Sequence, residues 1–432
     1  MTASIASGLI ARARRLVKAE AGELLALGWS FAYFFCLLSG YYILRPLREE
    51  MGIAGGVQNL PWVFTGTFLA MLVAVPLFGA LTARLPRRKF LPIVYYFFIA
   101  NILIFYALFQ LDAFRPEVAR AFFIWVSVFN LFVVSVFWSF MVDLFSSEQG
   151  KRLFGFIAAG GSLGAVVGPG FTALLAVPVG PVNLLLLSAL LLLGAVVCIH
   201  RLGRSTPAGK RKTSARRADA TALGGSMFAG FSLVLRSSYL LGIALFIVLF
   251  TTLSTFLYFE QAHIIAQSIS DPAQRTTLFA GIDLAVNTLT ILTQMFITGR
   301  LMPRLGVAGT LILLPLAAAV GFAALAVTPA LAVLVAFQVL RRAGDYALTR
   351  PAREVLFTVV DRETKYKAKN FIDTVVYRGG DALAGWAFAG LKALGLGLAA
   401  IAWLAVPIAL LWGGVALWLG KRQQNLAKTR TV

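Results

Sequence analysis

Apolar stretches of about 20 residues recur twelve times along the chain, at 24–44, 60–82, 90–111, 119–142, 153–177, 180–200, 238–260, 274–298, 305–327, 329–349, 370–390 and 396–419. About 20 apolar residues, each rising 1.5 Å, match the hydrocarbon thickness of a bilayer. The connections between them are mostly short. This pattern predicts an all-α polytopic membrane protein with twelve transmembrane helices. The first run follows Arg12, Arg14, Arg15 and Lys18. It is too long for a signal-peptide core and lacks a small-residue cleavage site, so it reads as a retained helix.

The longest polar stretch, 201–236, carries Arg204, Lys210, Arg211, Lys212, Arg216 and Arg217 among Ser, Gly and Ala. That is the composition of a solvated linker. It splits the spans six and six, which predicts an N-terminal six-helix half at 1–200, a cytoplasmic basic linker at 201–236, a C-terminal half at 237–420 and a tail at 421–432. The halves echo one another. Gly79-Ala80-Leu81-Thr82-Ala83-Arg84-Leu85-Pro86 and Gly299-Arg300-Leu301-Met302-Pro303-Arg304-Leu305-Gly306 share Gly, Leu, Arg and Leu at the same spacing. A fainter echo pairs Glu148-Gln149-Gly150-Lys151-Arg152 before span 5 with Glu363-Thr364-Lys365-Tyr366-Lys367 before span 11. Span 5 holds Gly160, Gly161, Gly164, Gly168 and Gly170, a spacing that lets helix backbones approach closely in lipid.

Composition supports the membrane reading, with 59% hydrophobic and 13% charged residues and a mean hydropathy of +0.83. The net charge of +21 would suit nucleic acid, but its distribution argues against that. With the N-terminus in the cytoplasm, outer-side Lys and Arg are confined to Arg45, Arg48, Arg115, Arg120, Arg275 and Lys392. This is the positive-inside bias, and it puts both termini in the cytoplasm of a protein integral to the inner membrane. Cys36 and Cys198 both fall inside spans, and His200 and His263 are far apart, so no metal site or cofactor is expected.

Charged residues inside the apolar spans carry the functional signal, because ions at membrane depth face a protein interior or a watery path. In span 10, Gln338, Arg341 and Asp345 share one helical face, with Arg342 beside them. Arg341 lies about 18 Å along the axis from Pro329, past the bilayer midplane. In span 11, Asp373, Tyr377 and Asp381 share a face, with Arg378 adjacent. Span 8 adds Asp283, Asn287 and Gln294. Arg45 and Arg48 mark the end of helix 1, where Pro46 interrupts hydrogen bonding. A purely structural account would pair Arg341 with Asp345 and Arg378 with Asp381. Guanidinium groups also recognise carboxylate or phosphate oxygens bidentately.

Gly79–Arg88 resembles the cytoplasmic loop motif of major facilitator transporters, with Ala83 and Pro86 departing from it. The runs Gly344-Asp345-Tyr346-Ala347-Leu348-Thr349-Arg350-Pro351-Ala352-Arg353-Glu354, Asp361-Arg362-Glu363 and Lys367-Ala368-Lys369-Asn370-Phe371-Ile372-Asp373 resemble the nucleotide (ATP/ADP) transporter family of plastids and intracellular bacteria. Tyr41-Tyr42-Ile43-Leu44-Arg45-Pro46-Leu47-Arg48-Glu49 is similar to that family's helix 1 motif, and Ser237-Ser238-Tyr239-Leu240-Leu241 to its helix 7 opening. Two departures stand out: 119–142 contains no acidic residue, and Glu260 only approximates the acidic residue of helix 7.

The resemblance implies a secondary transporter of the major facilitator type that works by alternating access on a nucleotide or other phosphorylated anion. Arg45, Arg48, Arg341, Arg342, Lys367, Lys369 and Arg378 would bind that anion, and Asp283, Asp345, Asp373, Asp381 and Glu260 would form a coupling or polar pathway. Its partners would be this small anion and membrane lipids, and the protein would act as a monomer. Two alternatives are a proton-coupled exporter of another organic anion or drug, and a non-transporting membrane sensor or scaffold. No metal cluster, nucleophile elbow or Walker lysine points to an enzyme.

Overall fold

The computed structural model describes residues 20, 22–84, 87–111, 115–205 and 229–430. Within these, twelve helices cross in the order α1 (Leu24–Ala54), α2 (Leu60–Arg84), α3 (Arg87–Gln110), α4 (Arg115–Leu144), α5 (Ser147–Val179), α6 (Leu184–Ser205), α7 (Ser238–Ser268), α8 (Pro272–Thr293), α9 (Gly299–Val327), α10 (from Leu331), α11 (from Arg362) and α12 (Leu398–Arg430). No strand occurs among the described residues. Only nine stretches among them are long and apolar enough on their own to cross a membrane, because Pro272–Val327 runs two crossings together and α10 and α11 are built from shorter pieces. α10 consists of Leu331–Gly344, a π-turn at Asp345–Thr349 and Arg350–Leu356; α11 consists of Arg362–Phe371, a π-turn at Ile372–Val376 and Tyr377–Ala393. A third π-turn, Gln294–Thr298, extends α8. The chain turns into the α9 crossing at Gly306, whose φ of +68° a residue with a Cβ adopts only under strain. That glycine closes the second copy of the internal repeat. In the first copy, Leu85 and Pro86 lie outside the described residues.

Two expectations need correction. Helix 1 does not end at Pro46; it continues to Ala54 with Pro46 buried inside it. A proline removes one backbone hydrogen bond, and packing against neighbouring helices sustains the rest. Arg45 and Arg48 are therefore interior residues, not loop residues. The linker 201–236 is helical at both ends: α6 runs through Ser205, and Ala229–Arg236 forms a short helix. That short helix lies on the start of α11, with the Phe231 ring 5.7 Å from Phe371. Lys210, Arg211, Lys212, Arg216 and Arg217 lie outside the described residues.

Buried side chains form two clusters, one from α1 and α3–α6 and one centred on α7–α12 that also takes in Ile53 and Leu60. The fainter sequence echo falls at two helix starts. Ser146 and Gln149 form a reciprocal capping box at α5, and Asp361 accepts the Thr364 N–H at 2.9 Å to cap α11, each satisfying a backbone donor that has no partner within the helix. Ahead of α1, burial of the Glu23 carboxyl is outweighed by hydrogen bonds from the Glu20 N–H, the Gln149 amide and Arg152, which together hold its pKa below the ordinary value.

The glycine stripe of α5 packs against α1. A Cβ on Gly160 would sit 2.5 Å from the Phe31 carbonyl oxygen, on Gly164 2.6 Å from that of Phe35, and on Gly168 2.7 Å from that of Ser39. The i, i+4, i+8 glycines thus let two backbones touch along one seam. Gly164→Val is expected to reduce folded yield and to lower the melting temperature in detergent, because overpacking a tight contact costs about 1–3 kcal/mol. Gly170→Val, where a Cβ would meet nothing within 4 Å, is expected to behave as wild type in the same melting assay.

Candidate functional site

A cavity of about 700 Å³ lies between the two six-helix sets, lined by α1, α2, α4 and α5 on one side and α7, α8, α10 and α11 on the other. Six arginines (Arg45, Arg48, Arg341, Arg342, Arg350 and Arg378) and four carboxylates (Glu49, Asp283, Asp345 and Asp381) line it. The formal excess is two positive charges. Ionic contacts account for most of the arginines. Arg48 pairs with Glu49, Arg350 Nε contacts Asp345 at 3.0 Å, and Arg378 Nη1 contacts Asp381 at 3.5 Å.

Asp283, 2% exposed, serves two arginines at once, lying 2.5 Å from Arg342 Nη2 and 3.6 Å from Arg45 Nε. Arg341 donates to Ser254 Oγ at 2.9 Å and to Gln338 Oε1 at 3.1 Å, and among the described residues no carboxylate pairs with it. The excess charge therefore resides on Arg341 and on the two arginines that share Asp283.

The π-turns shape this lining. A π-turn inserts an extra residue into the helical repeat and rotates the helix beyond it. In α10 it brings Arg350 onto Asp345 at a spacing of five residues, where a regular helix aligns residues three or four apart. Arg350 lies past the predicted end of span 10, so its place in the cavity was not legible from the 3.6-residue period. In α11 the π-turn holds Asp373 and ends just before Tyr377, so the face drawn through Asp373, Tyr377 and Asp381 breaks. Tyr377 and Asp381 line the cavity and Asp373 does not; it pairs with Arg353 at 3.6 Å instead.

Lys367 and Lys369 also stand apart from the lining, bound at 2.5 Å to Glu363 and Glu354 respectively. Glu260 is fully buried in α7, and neither carboxyl oxygen has a hydrogen-bond partner. Of the two ion pairs expected from sequence, Arg378–Asp381 forms, whereas Asp345 takes Arg350 rather than Arg341.

Sequence reasoning placed Tyr377 on the polar face of span 11 but missed Glu49, Gln261 and the other tyrosines of the lining. Tyr41, Tyr42, Tyr258, Tyr346 and Tyr377 all line the cavity, and Tyr346 lies under the Arg350 guanidinium at 4.4 Å. Tyrosines in apolar runs pass for core residues until the packing is known.

One end of the cavity, the end of the α1–α2 and α7–α8 connections, is closed by contacts between the two sets of helices. Arg275 Nε and Nη2 reach the Glu50 carboxylate at 2.7 and 2.8 Å. Deeper between the sets, where both residues line the cavity, the Asn287 amide donates to the Ala165 carbonyl at 2.6 Å. Trp386 Nε1 donates to Thr65 at 3.0 Å and its ring meets Trp62 edge-on.

The family model described as "Major Facilitator Superfamily" matches residues 16–347, well over half of the chain. The chain belongs to the Major Facilitator Superfamily. It is accordingly a multi-pass membrane transporter. Among solved structures it is similar in fold to a POT family transporter determined in complex with a thioalcohol-conjugated peptide, with a TM-score of 0.64 and 12% identity over 92% of this chain and 96% of that one. It is also similar to a bacterial homologue of the human lysosomal transporter Spinster in an inward-facing, unoccupied conformation, with a TM-score of 0.56 and 12% identity over 94% and 99% of the two chains. No curated protein matches the sequence.

The Glu50–Arg275 contact is bidentate, with Glu50 only 1% exposed, and breaking such a buried pair costs about 3–5 kcal/mol. Glu50→Gln is expected to open this end more often. A membrane-impermeant maleimide added on the α1–α2 loop side should then label Ser162→Cys, a cavity-lining position, about tenfold faster or more. Equal labelling rates would assign the closure to the tryptophan contacts instead.

Proposed function

We propose that this chain is a secondary transporter that alternates access to the arginine-lined cavity and carries a phosphorylated anion, with a nucleotide as the leading candidate. The observation that carries this reading is the unmatched positive charge on Arg341 and on the Arg45–Asp283–Arg342 group. A guanidinium held at membrane depth without a full counter-ion is costly, and a phosphoryl group offers the charge and the planar oxygen pairs that an arginine fork fits. Five tyrosines lining the same cavity suit a substrate with a flat ring, which stacks on aromatic faces. The motif resemblance to the nucleotide transporters supports the same substrate class.

In this reading the N-terminal half, 1–200, and the C-terminal half, 237–420, rock about the cavity. The end closed by Arg275–Glu50 faces outward, and both termini and the 206–228 segment lie in the cytoplasm, as the positive-inside distribution favours. Arg45, Arg48, Arg341, Arg342 and Arg378 contact the anion, and Arg350 joins them. Lys369 ties α11 to α10 through Glu354 at the cytoplasmic end and Lys367 pairs with Glu363 within α11, rather than contacting cargo.

Proton coupling to another organic anion is the second reading, favoured by Glu260. A buried carboxylate without a counter-ion is far more costly there than a neutral carboxylic acid. The two readings differ in what drives accumulation.

Purified protein in liposomes, screened with labelled nucleotides and other organic anions, tests both. Arg341→Ala is expected to weaken uptake of the transported anion by roughly ten- to a hundredfold, the loss of one charged hydrogen bond worth about 1.5–3 kcal/mol. Lys369→Ala should stay near wild type in the same flux assay. Equal effects of the two changes would remove the cavity's claim to be the anion site, and no flux of any anion would favour a sensor or scaffold. For coupling, Glu260→Gln is expected to abolish accumulation driven by a pH gradient while anion-for-anion exchange persists. A Glu260→Gln protein that still responds to the gradient would place any proton elsewhere, with Asp381 the cavity carboxylate to test next.

A further inference from the structure

The ion pairs of the cavity differ in one respect. Arg48–Glu49 lies within α1, Arg350–Asp345 within α10 and Arg378–Asp381 within α11. Only Asp283 spans the two six-helix sets, joining Arg45 of α1 to Arg342 of α10. Its two contacts are unequal. Oδ1 accepts a hydrogen bond from Arg342 at 2.5 Å, whereas Oδ2 lies 3.6 Å from Arg45 Nε and neither of those two atoms has a hydrogen-bond partner. The carboxylate is thus held firmly by its own helical set and leans loosely on the other. An interaction of that kind can form and release as the two sets move relative to each other. It also occupies the position between two guanidiniums that a cargo phosphate would take.

We propose that Asp283 is an internal counter-anion that lets the empty carrier change its facing state, so that without it movement of the two halves depends on bound anion. This rests on the anion-transport reading above. With the cavity empty, Arg45 and Arg342 face one another across the boundary between the halves at low dielectric, where like charges repel strongly. Asp283 screens that repulsion and the unloaded carrier can close around it. An incoming anion displaces the carboxylate from Arg45 and takes over the screening. With a neutral side chain at 283, only the loaded carrier closes, and net transport becomes obligate exchange.

Two measurements test this. In the first, no substrate is present. Spin labels are placed at Glu148→Cys and Thr358→Cys, exposed positions at the same end of opposite halves, with Cys36 and Cys198 replaced by alanine. Distances are then read by electron resonance in nanodiscs. The parent protein is expected to show both a long and a short distance. Asp283→Asn should deplete the short population about tenfold or more, and the double change Asp283→Asn with Arg45→Gln, which removes one of the repelling charges, should restore it. Identical distributions with and without Asp283, or a single distance in the parent protein, would overturn the proposal. Asp283→Glu keeps the charge and should keep both populations, which separates loss of charge from loss of folding.

In the second, liposomes loaded with labelled ADP are diluted into ADP-free or ADP-containing medium. Asp283→Asn should lose net efflux about tenfold or more while exchange is retained; parallel loss of both would overturn it. A parent protein that moves no ADP at all would count against the nucleotide reading alone, because the distance measurement does not depend on that substrate.

Discussion

Charge buried at bilayer depth has to be answered by other charge, by water or by cargo, and this constraint organises the molecule. Six guanidiniums line one cavity with only four carboxylates. Three pairs are settled locally on single helices, at little conformational cost. Asp283 divided between Arg45 and Arg342, together with Arg341 bound only to neutral Ser254 and Gln338, leaves the site short of negative charge at the boundary between the two helical sets. Under the proposed function, an anion entering such a cavity supplies the missing charge, so binding and movement of the halves would draw on the same electrostatic deficit.

The scaffold around the cavity is held by different physics on each side. In the N-terminal set, the glycine seam brings α5 against α1 with carbonyl oxygens about as close as a backbone allows, which fixes the helix that carries Arg45 and Arg48. In the C-terminal set, three π-turns replace regular helix in α8, α10 and α11, and each contributes or adjoins lining residues: Gln294, Asp345 and Tyr346, and Tyr377. In α10 and α11 the irregular backbone packs within the bundle, with Asp345, Ala347, Thr349 and Ile372 buried, the setting in which a membrane bundle tolerates it. In α8, by contrast, Met295, Phe296 and Ile297 are exposed, and Gln294 and Thr298 tie the turn to backbone carbonyls of α10. One set is rigidly packed and the other has locally altered helical register, an asymmetry that the duplicated architecture alone would not produce.

The superfamily match and the structural neighbours place the chain among membrane transporters, while the identity of 12% to those neighbours carries fold and not cargo. The charge excess, the exclusive use of arginine among its basic residues and the tyrosine cluster all favour a phosphorylated anion bearing a flat ring.

Hydrophobic runs of bilayer length, the positive-inside charge and the half-chain repeat were enough to specify twelve helices, because each span must satisfy its backbone internally and must be apolar along its own length. Regular helical spacing also identified Gln338, Arg341 and Asp345 as one face, and named Arg342, Asp283, Arg378 and Asp381, all of which line the cavity. What local sequence could not determine is where that spacing fails. Pro46 looked like a helix end because the neighbours that sustain α1 beyond it are distant in sequence. Asp373 looked like a site residue and Arg350 like a loop residue because the π-turns in α11 and α10 shift helical register in ways that no single-helix period anticipates. Pairing was decided last and only in three dimensions: Asp283 meets Arg45 across more than two hundred residues, and the balance of charge that results belongs to the packed bundle, not to any one segment of it.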